Sequence, residues 1–133
     1  MADDPVLVDT SVWIETFRED GDPDLQACVR TLVSTRRAST CEVIIAEVMA
    51  GALDEAQLLE LNAGLHGVEA LDMGGAGYWA GILSLRLRRR GSTIHTTDLL
   101  IAATARLHGA ALLHRDRHLG EAADALGLQV VEP

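Results

Sequence analysis

Short apolar runs alternate with longer segments of helical period along this chain. Val6-Leu7-Val8 is a β-branched apolar run, the mark of a buried strand. Asp9-Thr10-Ser11 supplies N-cap chemistry, and Val12 to Arg18 follows as a helix. Gly21 to Pro23 is a turn, with Pro23 near the start of a second helix that runs to about Thr35. Ala38 to Cys41 predicts a second strand, Glu42 to Ala50 a helix stopped near Gly51, and Asp54 to Leu65 a further helix ended by Gly67. Val68 to Leu71 predicts a third strand. Gly74 to Arg90 predicts a long helix ending at Gly91, with an arginine-rich last turn that complements the helix dipole. Thr97 is placed to cap a helix from Asp98 to His108, which Gly109 ends. Ala110 to His114 predicts a fourth strand, Asp116 opens a short helix, and Leu128 to Val131 predicts a final strand. This alternation implies an α/β fold: a parallel sheet of four to five strands with helices on both faces.

The length of 133 residues suits one domain, spanning 1–133. An apolar fraction of 48% is enough for a core and too high for a disordered chain. No apolar run approaches the ~20 residues of a membrane helix. The start, Met1-Ala2-Asp3-Asp4-Pro5, lacks the basic-then-apolar order of a signal peptide, which predicts a cytoplasmic protein without a membrane partner. Cys28 and Cys41 fit no zinc spacing and are expected to be reduced thiols, one or both buried. The formal net charge of −9 is the reverse of the usual nucleic-acid footprint. Divalent cations held at an acidic site would cancel part of it locally. All eleven basic residues are arginine, so chemistries that need a lysine are excluded.

Candidate chemistry gathers on four carboxylates. Asp9 follows the first strand and Asp116 the fourth, and sites in open α/β sheets form beyond the carboxyl ends of strands. Asp98 opens an apolar helix whose face neighbours are Ile101 and Ala102. Taken singly, each of these acids can be explained as a helix cap or a dipole partner. Glu47 is harder to explain that way. Its helical neighbours Val43, Ile44, Ala50 and Gly51 are apolar or small, and no basic residue lies within one turn. A carboxylate so placed needs a cation or a proton. Oxygen-only ligands suit Mg²⁺ or Mn²⁺.

The motifs around these acids resemble those of PIN-domain nucleases, and more narrowly the VapC toxins of type II toxin–antitoxin pairs. Val8-Asp9-Thr10-Ser11-Val12-Trp13-Ile14-Glu15 looks like the first motif and Ile45-Ala46-Glu47-Val48-Met49-Ala50-Gly51 like the second. Thr97-Asp98-Leu99-Leu100-Ile101-Ala102-Ala103 is similar to the third, and Leu112-Leu113-His114-Arg115-Asp116-Arg117 to the fourth. All four occur in order across nearly the whole chain. Many members carry a further acid followed by phenylalanine where this chain has His118 and Leu119. The resemblance implies a PIN-like three-layer sandwich and an Mg²⁺- or Mn²⁺-dependent endoribonuclease acting through metal-activated water. Asp9, Glu47, Asp98 and Asp116 would be its catalytic and metal-binding residues, with Thr10, Ser11, Thr97 and His118 in support. Its RNA substrate would be a transfer or ribosomal RNA. Its partners would be a VapB-like antitoxin and a second copy, forming a homodimer and a toxin–antitoxin hetero-oligomer. Relatives seat an antitoxin segment in a groove of the early helices, which Trp13 could line. Tyr78 and Trp79, like Trp13, are otherwise expected to pack in the core.

Arg86 and Arg89 at the end of the long helix, and Arg115 and Arg117 beside Asp116, are candidate RNA contacts. A shared face of His114, Asp116 and His118 would need the fourth strand to continue past Asp116. Gly-x-Ser-x-Gly is absent, a receiver domain needs a lysine, and a haloacid-dehalogenase-like site needs an aspartate where Ser11 stands. The alternative of another class is a catalytically silent PIN-fold binding module.

Overall fold

The computed structural model of the chain describes residues 4–131. Its centre is β1 (Val6–Val8), whose three residues are all fully buried. That pattern requires cover on both faces of the sheet, as in parallel α/β folds. β2 (Ala38–Thr40) lies on one side of β1 and β4 (Ala111–Leu113) on the other, both parallel to it. β3 (Glu69–Ala70) pairs with β2 and completes the order β3-β2-β1-β4.

Seven helices cover this sheet among the described residues. α1 (Thr10–Phe17), α2 (Pro23–Ser34), α3 (Glu42–Ala50) and α4 (Glu55–Leu65) connect β1 to β2 and β2 to β3. α5 (Ala76–Arg89) and α6 (Thr96–His108) lead back across the sheet to β4, and α7 (Arg117–Leu126) follows it. Right-handed crossovers therefore put the first four helices on one face and α5 and α6 on the other. α7 packs against α5 and α6.

Local chemistry explains most boundaries. The carboxylate of Asp9 accepts the Ser11 N–H and starts α1. Asp22 caps α2 through the N–H groups of Asp24 and Leu25, with Pro23 at the first helical position. Asp54 caps α4 through the Gln57 N–H. Gly109 ends α6 in the left-handed conformation, with φ 62°.

Two expectations are corrected, the cap of α6 and the final strand. The cap of α6 falls at His95, so Thr97 lies exposed in the first turn instead of starting the helix. Within the expected capping stretch it is Asp9 that caps α1, and Thr10 and Ser11 belong to its first turn. Among the described residues the final strand reduces to a single bridge between Leu112 and Val130, with Leu112 giving its N–H to the Gln129 carbonyl and its carbonyl accepting the Val131 N–H. β4 ends at Leu113, short of Asp116, so the strand continuation that a shared face of His114 and Asp116 would have needed does not occur. The side chain of His118 lies outside the described residues.

The core runs through the sheet and both helical layers. Trp13 is 1% exposed and stacks on Phe17 with ring centroids 5.8 Å apart. Cys41 is buried and Cys28 half-buried, and both are free thiols. No described helix is long and apolar enough to cross a membrane.

Between α1 and α2 the backbone closes tightly around Gly21. A Cβ there would stand 1.9 Å from the Glu15 carbonyl oxygen. Gly21→Ala is therefore expected to destabilise the domain by ~1–3 kcal/mol. Urea unfolding at neutral pH checks this, and an unchanged midpoint would contradict the close approach.

Candidate active site

The chain leaves β1 toward β2 on one side and returns through β4 on the other. The carboxyl edge between β1 and β4 is thus the point where strand order reverses, the usual place for a site in an open α/β sheet. Asp9 sits at the end of β1, 4% exposed, and its N–H donates to the Leu113 carbonyl of β4. Asp116 stands at the head of α7, where its carbonyl accepts the Gly120 N–H. Asp98 lies in the first turn of α6, where the partial positive charge of a helix start favours a carboxylate. Glu47 is half-buried on α3, which springs directly from β2.

Two hydroxyls orient two of these acids. Thr10 donates from Oγ1 to Glu47 Oε1 at 2.7 Å, tying the start of α1 to α3. Ser11 donates from Oγ to Asp9 Oδ2 at 2.6 Å, beside the backbone N–H that caps the helix. Hydrogen bonds to an ionised carboxylate are among the stronger ones, so both acids are held in place. Among the described residues, Asp9, Glu47 and Asp98 have no arginine within ion-pair distance.

Electrostatics brings the four acids into one group. Burial raises the pKa of the Asp98 carboxyl, and the charges of Asp116, Asp9 and Glu47 raise it further against a small opposing effect of His95. Burial likewise raises the Cys41 thiol, with backbone donors opposing and Glu47 and Asp9 adding to the rise. Cys41 was outside the expected site. Its position as the residue before α3, between the second strand and Glu47, was the available signal.

The donor set fits a hard divalent cation in type, since it is all carboxylate oxygen, and in charge, since among the described residues no arginine pairs with Asp9, Glu47 or Asp98. Among the described residues, no three acidic, histidine or cysteine side chains converge on one point.

The residues around the acids divide differently from expectation. Arg115 is not a free cation, because Glu15 and Asp22 hold its guanidinium. Arg117 is exposed at the start of α7. α5 and α6 form an antiparallel pair, with His108 against the Asp72 carbonyl and Gly75 beside Leu107. The last turn of α5, bearing exposed Arg86 and Arg89, therefore lies at the end where α6 starts and Asp98 sits. Tyr78, 84% exposed, and Trp79 stand outside the core on α5. An open groove of about 600 Å³ runs between α1, α2 and α4, lined by Trp13, Phe17, Val29, Val33 and Gly64 among others. Trp13 forms its floor from the core. None of the four acids lines this groove.

The PIN domain family model matches residues 6–125. The chain belongs to the PIN-domain family. Within that family it is 37% identical over 131 residues to Ribonuclease VapC11 of Mycobacterium tuberculosis, covering 93% of this chain and 96% of that protein. It is equally similar to VapC ribonuclease Mb1587 of Mycobacterium bovis, at 37% identity over the same length. The VapC-like resemblance seen in the motifs is thereby borne out. In fold, this PIN domain is similar to a chain of the DNA-bound VapBC complex of Salmonella typhimurium, with a TM-score of 0.78, 20% identity, and coverage of 96% and 97% of the two chains. The expected PIN-like architecture is that of the structure, with four strands and a bridge in place of the fifth.

The raised carboxyl of this PIN domain makes a prediction about stability. A carboxyl whose pKa rises on folding holds its proton more tightly folded than unfolded. Stability then falls as pH climbs from the ordinary aspartate value through the raised one. Without divalent metal, Asp98→Asn is expected to raise the melting temperature at pH 7, and the gain should vanish in acid where Asp98 is protonated anyway. Calorimetry of both proteins in EDTA across pH checks the sign.

Proposed function

We propose that this PIN domain is the toxin endoribonuclease of a type II toxin–antitoxin pair. The observation that carries this reading is geometric: Asp9 ends β1 and is bonded to β4, Asp116 follows β4, Thr10 beside Asp9 is bonded to Glu47, and Asp98 lies in the first turn of α6. Ribonuclease naming of relatives at 37% identity supports RNA as the substrate. We assign Asp9, Glu47, Asp98 and Asp116 to the binding of Mg²⁺ or Mn²⁺. Once bound, the cation supplies a water of lowered pKa and offsets the charge of the scissile phosphate.

The chain's own groups have separate tasks in this reading. Thr10 aims the Glu47 carboxylate, and Ser11 aims that of Asp9, so both carboxylates are oriented by a hydroxyl of α1. The N-terminus of α6 holds Asp98 at the same edge. Arg86 and Arg89 on α5, with Arg117 on α7, are the cations free of the carboxylate cluster that can meet the RNA backbone beside it. The target is a transfer or ribosomal RNA, whose folded loop would meet the site as a shape.

A VapB-like antitoxin is the assigned protein partner. The apolar walls of the α1–α2–α4 groove suit an amphipathic helix. Fold neighbours solved as VapBC and FitAB complexes support a hetero-oligomer. The exposed Tyr78, Ile82 and Leu85 on α5 support pairing of two copies.

Substitution Asp9→Asn is expected to lower Mn²⁺-dependent RNA cleavage at least ~100-fold, since even groups that only support a metal ligand are worth 10–100-fold. Sequencing of RNA ends after controlled expression of wild type and variant is the check. Identical cut ends in both would sink the assignment. In the Asp9→Asn background, where RNA stays intact, Arg86→Ala with Arg89→Ala is expected to flatten the slope of log affinity against log salt by about 1.4 for single-stranded RNA, ~0.7 for each lost phosphate contact. Filter binding at several salt concentrations measures the slope, and an unaltered slope removes these arginines from the interface.

A further inference from the structure

We propose that Arg115 is a positioning residue, which registers the Asp116 loop on the junction of α1 and α2 and so fixes how the fourth carboxylate meets the cation; the inference rests on the metal-dependent reading above. The loop between β4 and α7 is only residues 114–116, and it has no regular secondary structure. Its middle side chain reaches away from the carboxylate group. Arg115 Nη1 lies 3.3 Å from Glu15 Oε1 and 3.9 Å from Asp22 Oδ2.

The receiving end is built to stay still. Glu15 uses its other oxygen, Oε2, to accept the Asp22 N–H at 2.9 Å. Asp22 is itself occupied by capping α2, through Oδ1. Gln26 donates from Nε2 to the carbonyls of Glu15 and Arg18, at 3.1 and 2.8 Å. Gly21 lets the Glu15 carbonyl come close enough to exclude any Cβ. Glu15 is mostly shielded, its side chain 18% exposed, whereas Arg115 is 49% exposed. A surface pair contributes little by itself, but two carboxylates in a fixed frame converging on one guanidinium define a geometry. Arg18 also reaches Glu15 Oε1, at 3.5 Å, from the solvent side. It pairs with Asp20 as well, at 3.4 Å.

Position and charge make opposite predictions, which is what allows a test. Arg115 is a cation one residue from a proposed metal ligand. If it acted through charge alone, its removal would tighten divalent binding by removing repulsion. If it acts by placing Asp116, its removal weakens that binding although a positive charge has gone. The supporting groups around metal sites typically change affinity 10–100-fold.

The experiment is titration of the full-length protein with Mn²⁺ alone, by calorimetry, for wild type, Arg115→Gln, Arg115→Lys, Glu15→Gln and the Arg115→Gln/Glu15→Gln double variant. Glutamine at 15 still accepts the Asp22 N–H but loses the ion pair. Melting in EDTA establishes that each variant is folded. If Arg115→Gln does not fold, Arg115→Lys carries the comparison, because it keeps the charge and loses the planar fork. The expected result is ~10-fold weaker Mn²⁺ binding in Arg115→Gln and in Glu15→Gln, a smaller loss in Arg115→Lys, and a double variant no worse than either single one. RNA cleavage should need more Mn²⁺ and recover its rate at saturating metal. Equal or tighter Mn²⁺ binding in every variant overturns the proposal and leaves the metal-dependent reading intact. Unchanged Mn²⁺ binding with weaker RNA binding in EDTA also overturns it, and makes Arg115 a phosphate contact. A wild type that binds no Mn²⁺ overturns both readings together.

Discussion

Mutual repulsion among neighbouring carboxylates is the constraint that the candidate site of this domain has to accommodate. Asp9, Glu47, Asp98 and Asp116 come to one edge of the sheet, and among the described residues no arginine pairs with Asp9, Glu47 or Asp98. Burial and the three neighbouring charges make Asp98 reluctant to ionise. The chain tolerates this because each acid is tied to a rigid element, by a hydroxyl, a helix start or a strand end. The stability that the cluster takes away must come from elsewhere, and the fully buried β1 with its flanking helices is the main source.

The fold separates tasks by location. Catalytic candidates occupy the carboxyl edge between β1 and β4, where strand order reverses. The antiparallel pairing of α5 with α6 carries the arginine-rich end of α5 to that same edge. An acidic protein thus presents its positive charge beside the region where a polyanion would be needed. The α1–α2–α4 groove lies apart from the acids, so a partner can be bound there by apolar contact without competing directly for the carboxylates. The α1–α2 junction connects the two regions, because Glu15 belongs to α1 and also holds Arg115 of the Asp116 loop.

Helices and the main strands were legible because their signals are local. Asp22-Pro23 and Asp54 start helices by side chains acting within three residues, and Gly109 ends one by its backbone freedom. The edge elements are shorter than expected for equally physical reasons. β3 shrinks to two exposed residues at the sheet edge, and Leu128 to Val131 contributes one bridge, because pairing depends on what the neighbouring strand leaves available. Thr97 failed as a cap because a threonine one residue earlier, and an extended His95 before it, already open the helix.

By itself the sequence determined the α/β class, the positions of most helices, and four carboxylates within ordered motifs. It did so because period, caps and motif order are written over short distances along the chain. Tertiary structure alone decided that Trp13 belongs to the core while Tyr78 is exposed, since the side of a helix that is covered depends on its neighbours. It alone decided that Thr10 serves Glu47, 37 residues away, and that Arg115 faces two acids instead of open solvent. Those outcomes follow from distances between remote segments, and charge and hydrogen-bond energies depend on distance in space, which residue spacing does not contain.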